Sequence, residues 1–178
     1  MNNSNTSLPS RPRRIKCISL WQPWASLIAL GEKKIETRHW ATPYRGPLAI
    51  HAAKRWTGAE AETCLDSPFW EILSEAGLIE QDHLKPGRAK PTERMPLGAI
   101  VAVVDLTDCV PTFQKGALAE CWLSSSISIQ ERHFGNYAAN RFGWMLSKVR
   151  ALPEPIPYKG EQGLFEIDAS ILPQTMWQ

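Results

Sequence analysis

The sequence predicts an α+β fold in which a mixed β-sheet curls into a barrel with helices packed around it. Three observations carry this. Five or so segments with strand character are spread from residue 15 to residue 168, and helical segments are inserted between them rather than gathered in one block. A sheet this small removes its exposed edges by closing on itself. The length fits one such domain, since 178 residues supply one sizeable core but would leave two small ones.

Along the chain, MNNSNTSLPSRPRR buries almost nothing and carries two prolines. Residues 1–14 are therefore expected to form a disordered basic arm, the domain to occupy 15–170, and 171–178 to be a C-terminal tail. Arg11, Arg13 and Arg14 either brush phosphates or simply solubilise the arm. IKCISL, from Ile15, is rich in β-formers. Pro23 suits a first helical turn and Gly31 a left-handed helix end, which predicts a short buried helix over 23–30 with Trp24, Leu27 and Ile28 on one face. After Gly31 the period becomes two: Lys34, Glu36, Arg38 and Trp40 fall on one side of a strand, Ile35 and Thr37 on the other.

GPLAIHAAK is the next strand, with Leu48, Ile50 and Ala52 alternating against His51. Thr57 with Glu60 makes a capping box. Ser67-Pro68 opens a second helix that Gly77 ends, with Phe69, Ile72, Leu73 and Ala76 on its inner stripe. Residues 85–96 read as a loop. LGAIVAVVDLTDCV is a near-continuous apolar run, as expected of a central strand covered on both sides. A helical piece is expected around 116–123. RFGWMLSKVRAL and GLFEID look like the last two strands, separated by PEPIPYKG, whose prolines argue against a central strand.

Composition narrows the function. Hydrophobic residues at 43% and charged residues at 21% are ordinary for a globular protein, and a net charge of +2 excludes a histone-like surface. Any affinity for nucleic acid must come from a local basic patch. Cys17, Cys64, Cys109 and Cys121 lie far apart, with no C-x-x-C pair and no His at zinc-finger spacing. They read as reduced core thiols, and neither a metal nor another cofactor is expected. No apolar run approaches the roughly 20 residues that span a bilayer, so a cytoplasmic protein without a membrane partner is expected. The Ser- and Arg-containing start, free of acids up to Glu32, shares the composition of a transit peptide but is short and lacks amphipathic periodicity.

The chemistry concentrates in SLWQPWASLIALGEKKIETRHW, residues 19–40, where three of the eight tryptophans adjoin a run of charges. Trp21, Trp24, Trp40 and Tyr44 offer planes for stacking a base, worth roughly 1–3 kcal/mol per base. Arg38, Arg45, Lys54 and Arg55 offer phosphate contacts. Glu36 is an acceptor suited to an exocyclic amine. Trp24, at core helical spacing, reads as packing. Glu36 and Arg38, two apart on one strand face, also read as a plain ion pair. Lys33 is the candidate base or nucleophile, because burial against tryptophans disfavours its ammonium form. His51 serves either as a general acid or base or as a satisfied strand histidine. Asp105 and Asp108 follow the apolar strand and either supply a carboxylate or cap turns.

Gly31, Lys33, Glu36 and Arg38 spell G-x-K-x-x-E-x-R directly after the helix that follows SLWQPWA. This combination resembles the ASCH domain, within the PUA-like superfamily. The resemblance implies a PUA-like barrel with a cleft beside the first helix that holds single-stranded RNA, DNA or a modified nucleobase, with Lys33, Glu36 and Arg38 facing it. One branch of the family removes acetyl from N4-acetylcytidine with a Lys, a Thr and a Glu, and other members are ribonucleases. Lys33 matches that lysine, but the Thr falls where this chain has Glu36. Binding of RNA or a modified nucleobase is thus the favoured expectation. The alternative is a metal-independent hydrolase using Lys33, Glu36 and His51.

Overall fold

The computed structural model describes residues 14–112 and 127–177. Eight strands and four α-helices are defined among them: β1 (Arg14–Leu20), α1 (Trp24–Ala29), β2 (Ile35–Arg38), β3 (Gly46–Ala52), α2 (Gly58–Thr63), α3 (Phe69–Glu75), β4 (Ile79–Gln81), β5 (Ala89–Pro91), β6 (Ala99–Pro111), α4 (Ile129–His133), β7 (Phe142–Pro157) and β8 (Leu164–Asp168). Six strands make one mixed sheet in the order β2-β7-β6-β3-β1-β8, and β4 pairs with β5 alone. Only β1 and β3 run parallel, with Ser19 opposite His51, so α1 and β2 lie within the crossover between them.

The α+β class holds, with a six-stranded mixed sheet. No ladder joins the outer strands β2 and β8 among the described residues, so the sheet is open where closure was expected. Alternation places Ile18, Leu20, Leu48, Ile50, Val104 and Trp144 in a core beneath α1. Cys17, Ala49, Val103, Phe165 and Ile167 form a second core on the opposite face. β6 is buried on both faces, as its unbroken apolar run requires. Leu172 and Met176 join the second core, so packing continues past residue 170 to the segment expected to be a tail. β1 likewise begins at Arg14, at the boundary of the expected arm.

Two differences from the sequence pattern have clear causes. The prolines of PEPIP do not end β7. Between the pairs Ala102–Ala151 and Ile100–Ile156 a bulge leaves residues 152–155 opposite Val101 alone, and β2 flanks β7 only at residues 142–145. Pro153 and Pro155 therefore lie where no ladder donor is needed. The expected loop at 85–96 contains β5, whose three-residue pairing with β4 is too short to show a period. The helix expected at 116–123 lies outside the described residues.

A third cluster, with Leu27, Cys64, Phe69, Leu73, Met95 and Phe134, packs α1 against the insert formed by α2, α3 and the β4–β5 hairpin. Burial pushes the Cys64 thiol up to about 12, which makes it a packing group. No helix among the described residues is long and apolar enough to cross a membrane.

Candidate nucleic-acid interface

The site begins where α1 stops. Gly31 adopts φ +81°, and this left-handed turn lets the amides of Gly31 and Glu32 donate to Ile28 O and Leu27 O, each at 2.9 Å. The reversal drops Lys33 into the interior. Its residue is fully buried, and its Nζ donates to Ile35 O and, at 2.8 Å, to Phe134 O. Glu36 Oε2 lies 3.7 Å from the same nitrogen. Burial pulls the Lys33 ammonium below its ordinary pKa, while Glu36 and Glu131 oppose that shift.

Glu131, on α4, holds this strand from the other side. Its carboxylate accepts from the amides of Lys34 at 2.8 Å and Ile35 at 3.1 Å. Desolvation raises its pKa above the usual carboxylate range. Lys33 is thus an internal brace that ties β2 to α4 and the turn after it.

Glu36 reaches the surface of a divided cleft. A cavity of about 190 Å³ is lined by Ser19, Leu20, Trp21, Trp24, Glu36 and Arg38. A second, of about 350 Å³, is lined by Trp24, Glu36, Thr37, His133, Asn136 and Arg141, among others. Trp24 and Glu36 belong to both walls. Arg38 Nη2 donates to Ser19 O at 3.1 Å, and Arg38 Nε lies 3.0 Å from Glu36 Oε1. That separation is an ion pair by distance, yet the buried Nε–H is not aligned on the carboxylate and has no hydrogen-bond acceptor.

The outer wall is laced to β2. Arg141 donates to Asn136 O at 3.0 Å and Thr37 O at 3.1 Å, and the Asn136 amide donates to Thr37 Oγ1 at 3.0 Å. Trp21 stands at the rim, 51% exposed, with the Arg55 guanidinium 3.9 Å above its ring. Arg55 is held there by Glu60 at 2.8 Å. Glu60 is in turn fixed by the Thr57 amide at 2.7 Å and by the Thr57 hydroxyl. The capping box of α2 therefore also orients a cation over an aromatic plane.

The structure brings together Trp21, Glu36, Arg38 and Arg55, with Lys33 sealed beneath. Trp40, Tyr44 and Arg45 lie elsewhere. β2 ends at Arg38, so its alternation stops there, and Trp40 turns edge-on to Trp144 with ring centroids 4.6 Å apart. The Tyr44 hydroxyl donates to Pro47 O, and Arg45 pairs with Asp108 at 2.8 Å. Asp105 is taken by Arg150 at 2.7 Å. His51 and Lys54 line a separate cavity. Lys33, Glu36 and His51 are consequently not one constellation. Trp24, read as packing, meets Phe69 edge-on and also lines both halves of the cleft. Arg141 and Asn136 carried no local signal, because their place is set by contacts to Thr37 about a hundred residues earlier.

His51 Nε2 lies 3.0 Å from the Tyr158 carbonyl, which only accepts, so this nitrogen carries the proton. Nδ1 then accepts from the Ser19 hydroxyl at 3.0 Å. Desolvation lowers the His51 pKa below 6.5. The unfolded chain thus binds this proton first as pH falls, and the stability contributed by His51 is full above pH 6.5 and lost toward its lower folded pKa. Denaturation curves across pH 5–7 are expected to show a stability rise in the native protein. In His51→Gln, whose amide offers one donor and one acceptor but does not titrate, this rise should be smaller.

Comparison with known proteins follows the same region. The family model described as the ASCH domain matches residues 18–154. Activating signal cointegrator 1 of Mus musculus is 31% identical over 157 residues, covering 87% of this chain and 22% of that protein. The Homo sapiens protein of the same name is 31% identical over 94 residues, covering 53% of this chain and 14% of its own length. The chain therefore spans under a quarter of the length of these relatives.

Proposed function

The chain belongs to the ASCH domain family, and from that premise we propose that it binds single-stranded RNA by seating a base in the divided cleft between Trp24, Glu36 and Arg38. One observation carries this reading: the Glu36 carboxylate and the Arg38 guanidinium, 3.0 Å apart, line the same cavity, so an acceptor and a donor group stand side by side on the cleft floor. A base edge that pairs an exocyclic amine with a ring nitrogen, as cytosine and adenine do, supplies the complementary donor and acceptor. Trp24 and Trp21 provide the stacking surfaces, and Arg55 a cation at the rim. Within the G-x-K-x-x-E-x-R motif, Lys33 positions Glu36 and Arg38 meets the ligand. The six-stranded sheet is read as the PUA-like architecture of the family. The hydrolase alternative has no comparable support, because Lys33 has no open face and His51 lines another cavity.

Titration of a fluorescent RNA hexamer tests this. Affinity should fall with salt, at a slope of about 0.7 per phosphate neutralised. Arg38→Ala should weaken binding by about 1–3 kcal/mol, the worth of a specific base contact. Its unfolding midpoint should fall modestly, by less than that of Lys33→Met, because Arg38 is partly exposed and Glu36 keeps Lys33 as a neighbouring cation. Binding that is insensitive to salt and survives this substitution would place the ligand elsewhere. The matching DNA hexamer reports whether the 2′-OH contributes.

A further inference from the structure

Beyond the divided cleft lies the cavity that holds His51. Its volume of about 730 Å³ is within the 300–1,000 Å³ range of sites that enclose small ligands. Its walls include Ser19, Lys54, Tyr158, Lys159, Glu161 and Gln162. Ser19 is also a wall of the cleft, and its carbonyl accepts from Arg38. The two spaces therefore meet across one residue.

The chain has been shaped around that meeting point. A Cβ at Gly160 would stand 2.5 Å from Ser19 Oγ and 2.5 Å from His51 Cε1, so only glycine lets the 158–162 segment pass this close to β1 and β3. Both ring nitrogens of His51 are occupied, which leaves it no free atom for a ligand, whereas the Ser19 oxygen retains lone pairs to accept a further bond. Lys54 and Lys159 approach from different segments, are exposed, and have no ion-pair partner among the described residues. Glu161 repels a phosphate at its own wall but, like Gln162, suits a base edge.

Building on the reading of the cleft as a base site, we propose that this cavity is a second nucleotide subsite. A strand crosses Ser19, its phosphate meets Lys54 and Lys159, and its next base lies toward Glu161 and Gln162. The ligand class is then a single strand of at least two nucleotides, not a free nucleoside.

Three probes are compared by calorimetry at 0.15 M salt: cytidine 5′-monophosphate, the dinucleotide CpC and hexacytidylate RNA. The expected result is affinity that rises from the monomer to the dimer and again to the hexamer. In the Lys54→Ala/Lys159→Ala double variant, loss of the phosphate that the two lysines neutralise together should make the hexamer salt slope shallower by about 0.7 and weaken binding on the order of tenfold. The Lys85→Ala/Lys90→Ala variant serves as a control for general charge and should bind as the native protein does. Monomer bound as tightly as hexamer, a native salt slope in the first double variant, or an equal loss in the control each overturns the second subsite while the cleft reading stands. Failure of all three probes to bind overturns both.

Discussion

Lys33→Met is expected to destabilise the domain by about 3–5 kcal/mol, the cost of removing one partner from a buried charged cluster. Methionine keeps the length of the side chain, so the change isolates charge and hydrogen bonding. Without the ammonium, Ile35 O and Phe134 O lose their donor. The Glu36 carboxylate loses a neighbouring cation, as does Glu131, whose pKa is already raised by burial. Urea denaturation monitored by tryptophan fluorescence reads the loss as a lower midpoint at unchanged slope. A loss under about 1 kcal/mol, accompanied by complete loss of RNA binding, would instead make Lys33 a ligand contact.

Trp144→Ala should be comparably severe, at about 3–5 kcal/mol. The side chain is fully buried, stands opposite Glu36 in the β2–β7 register, and donates from its indole N–H to Trp40 O at 3.3 Å. Truncation leaves a cavity next to the strand that carries the cleft floor and frees the turn after it. Trp144→Phe should cost less, since it retains most of the packing and loses the hydrogen bond. Equal midpoints for the two variants would assign the whole effect to that bond. Hydrogen exchange at the Glu36 and Arg38 amides should quicken in the alanine variant, because both lie on the edge strand that Trp144 supports.

Features governed by neighbouring residues were legible in the sequence. Pro23 and Gly31 bracket α1 to within a residue or two, the Thr57–Glu60 spacing yields the cap of α2, and the apolar run of β6 correctly implies cover on both faces. The motif put Glu36 and Arg38 side by side because two residues along a strand share a face. Features decided by distant chain were not legible. Nothing near Lys33 shows that Phe134 O waits for it. The prolines of β7 are tolerated only because of which edge they occupy, and Trp40 leaves the cleft because β2 stops two residues earlier. Trp24 shows the limit of periodicity, which reports that a face is apolar but not whether a cavity opens beside it.

The sheet order has a consequence for how the chain acquires its site during synthesis. β1 and β3 can pair once residue 52 is made. β2 has no strand partner until residues 142–145 exist, and the far edge of β1 waits for β8 at 164–168. Such long-range pairings place the domain among slower folders. Throughout most of translation Glu36 and Arg38 therefore belong to an unpaired strand, with Lys33 lacking the Phe134 carbonyl it will later hold. A nascent chain stalled before residue 142 should carry the entire motif and yet have no cleft for a strand of RNA to enter.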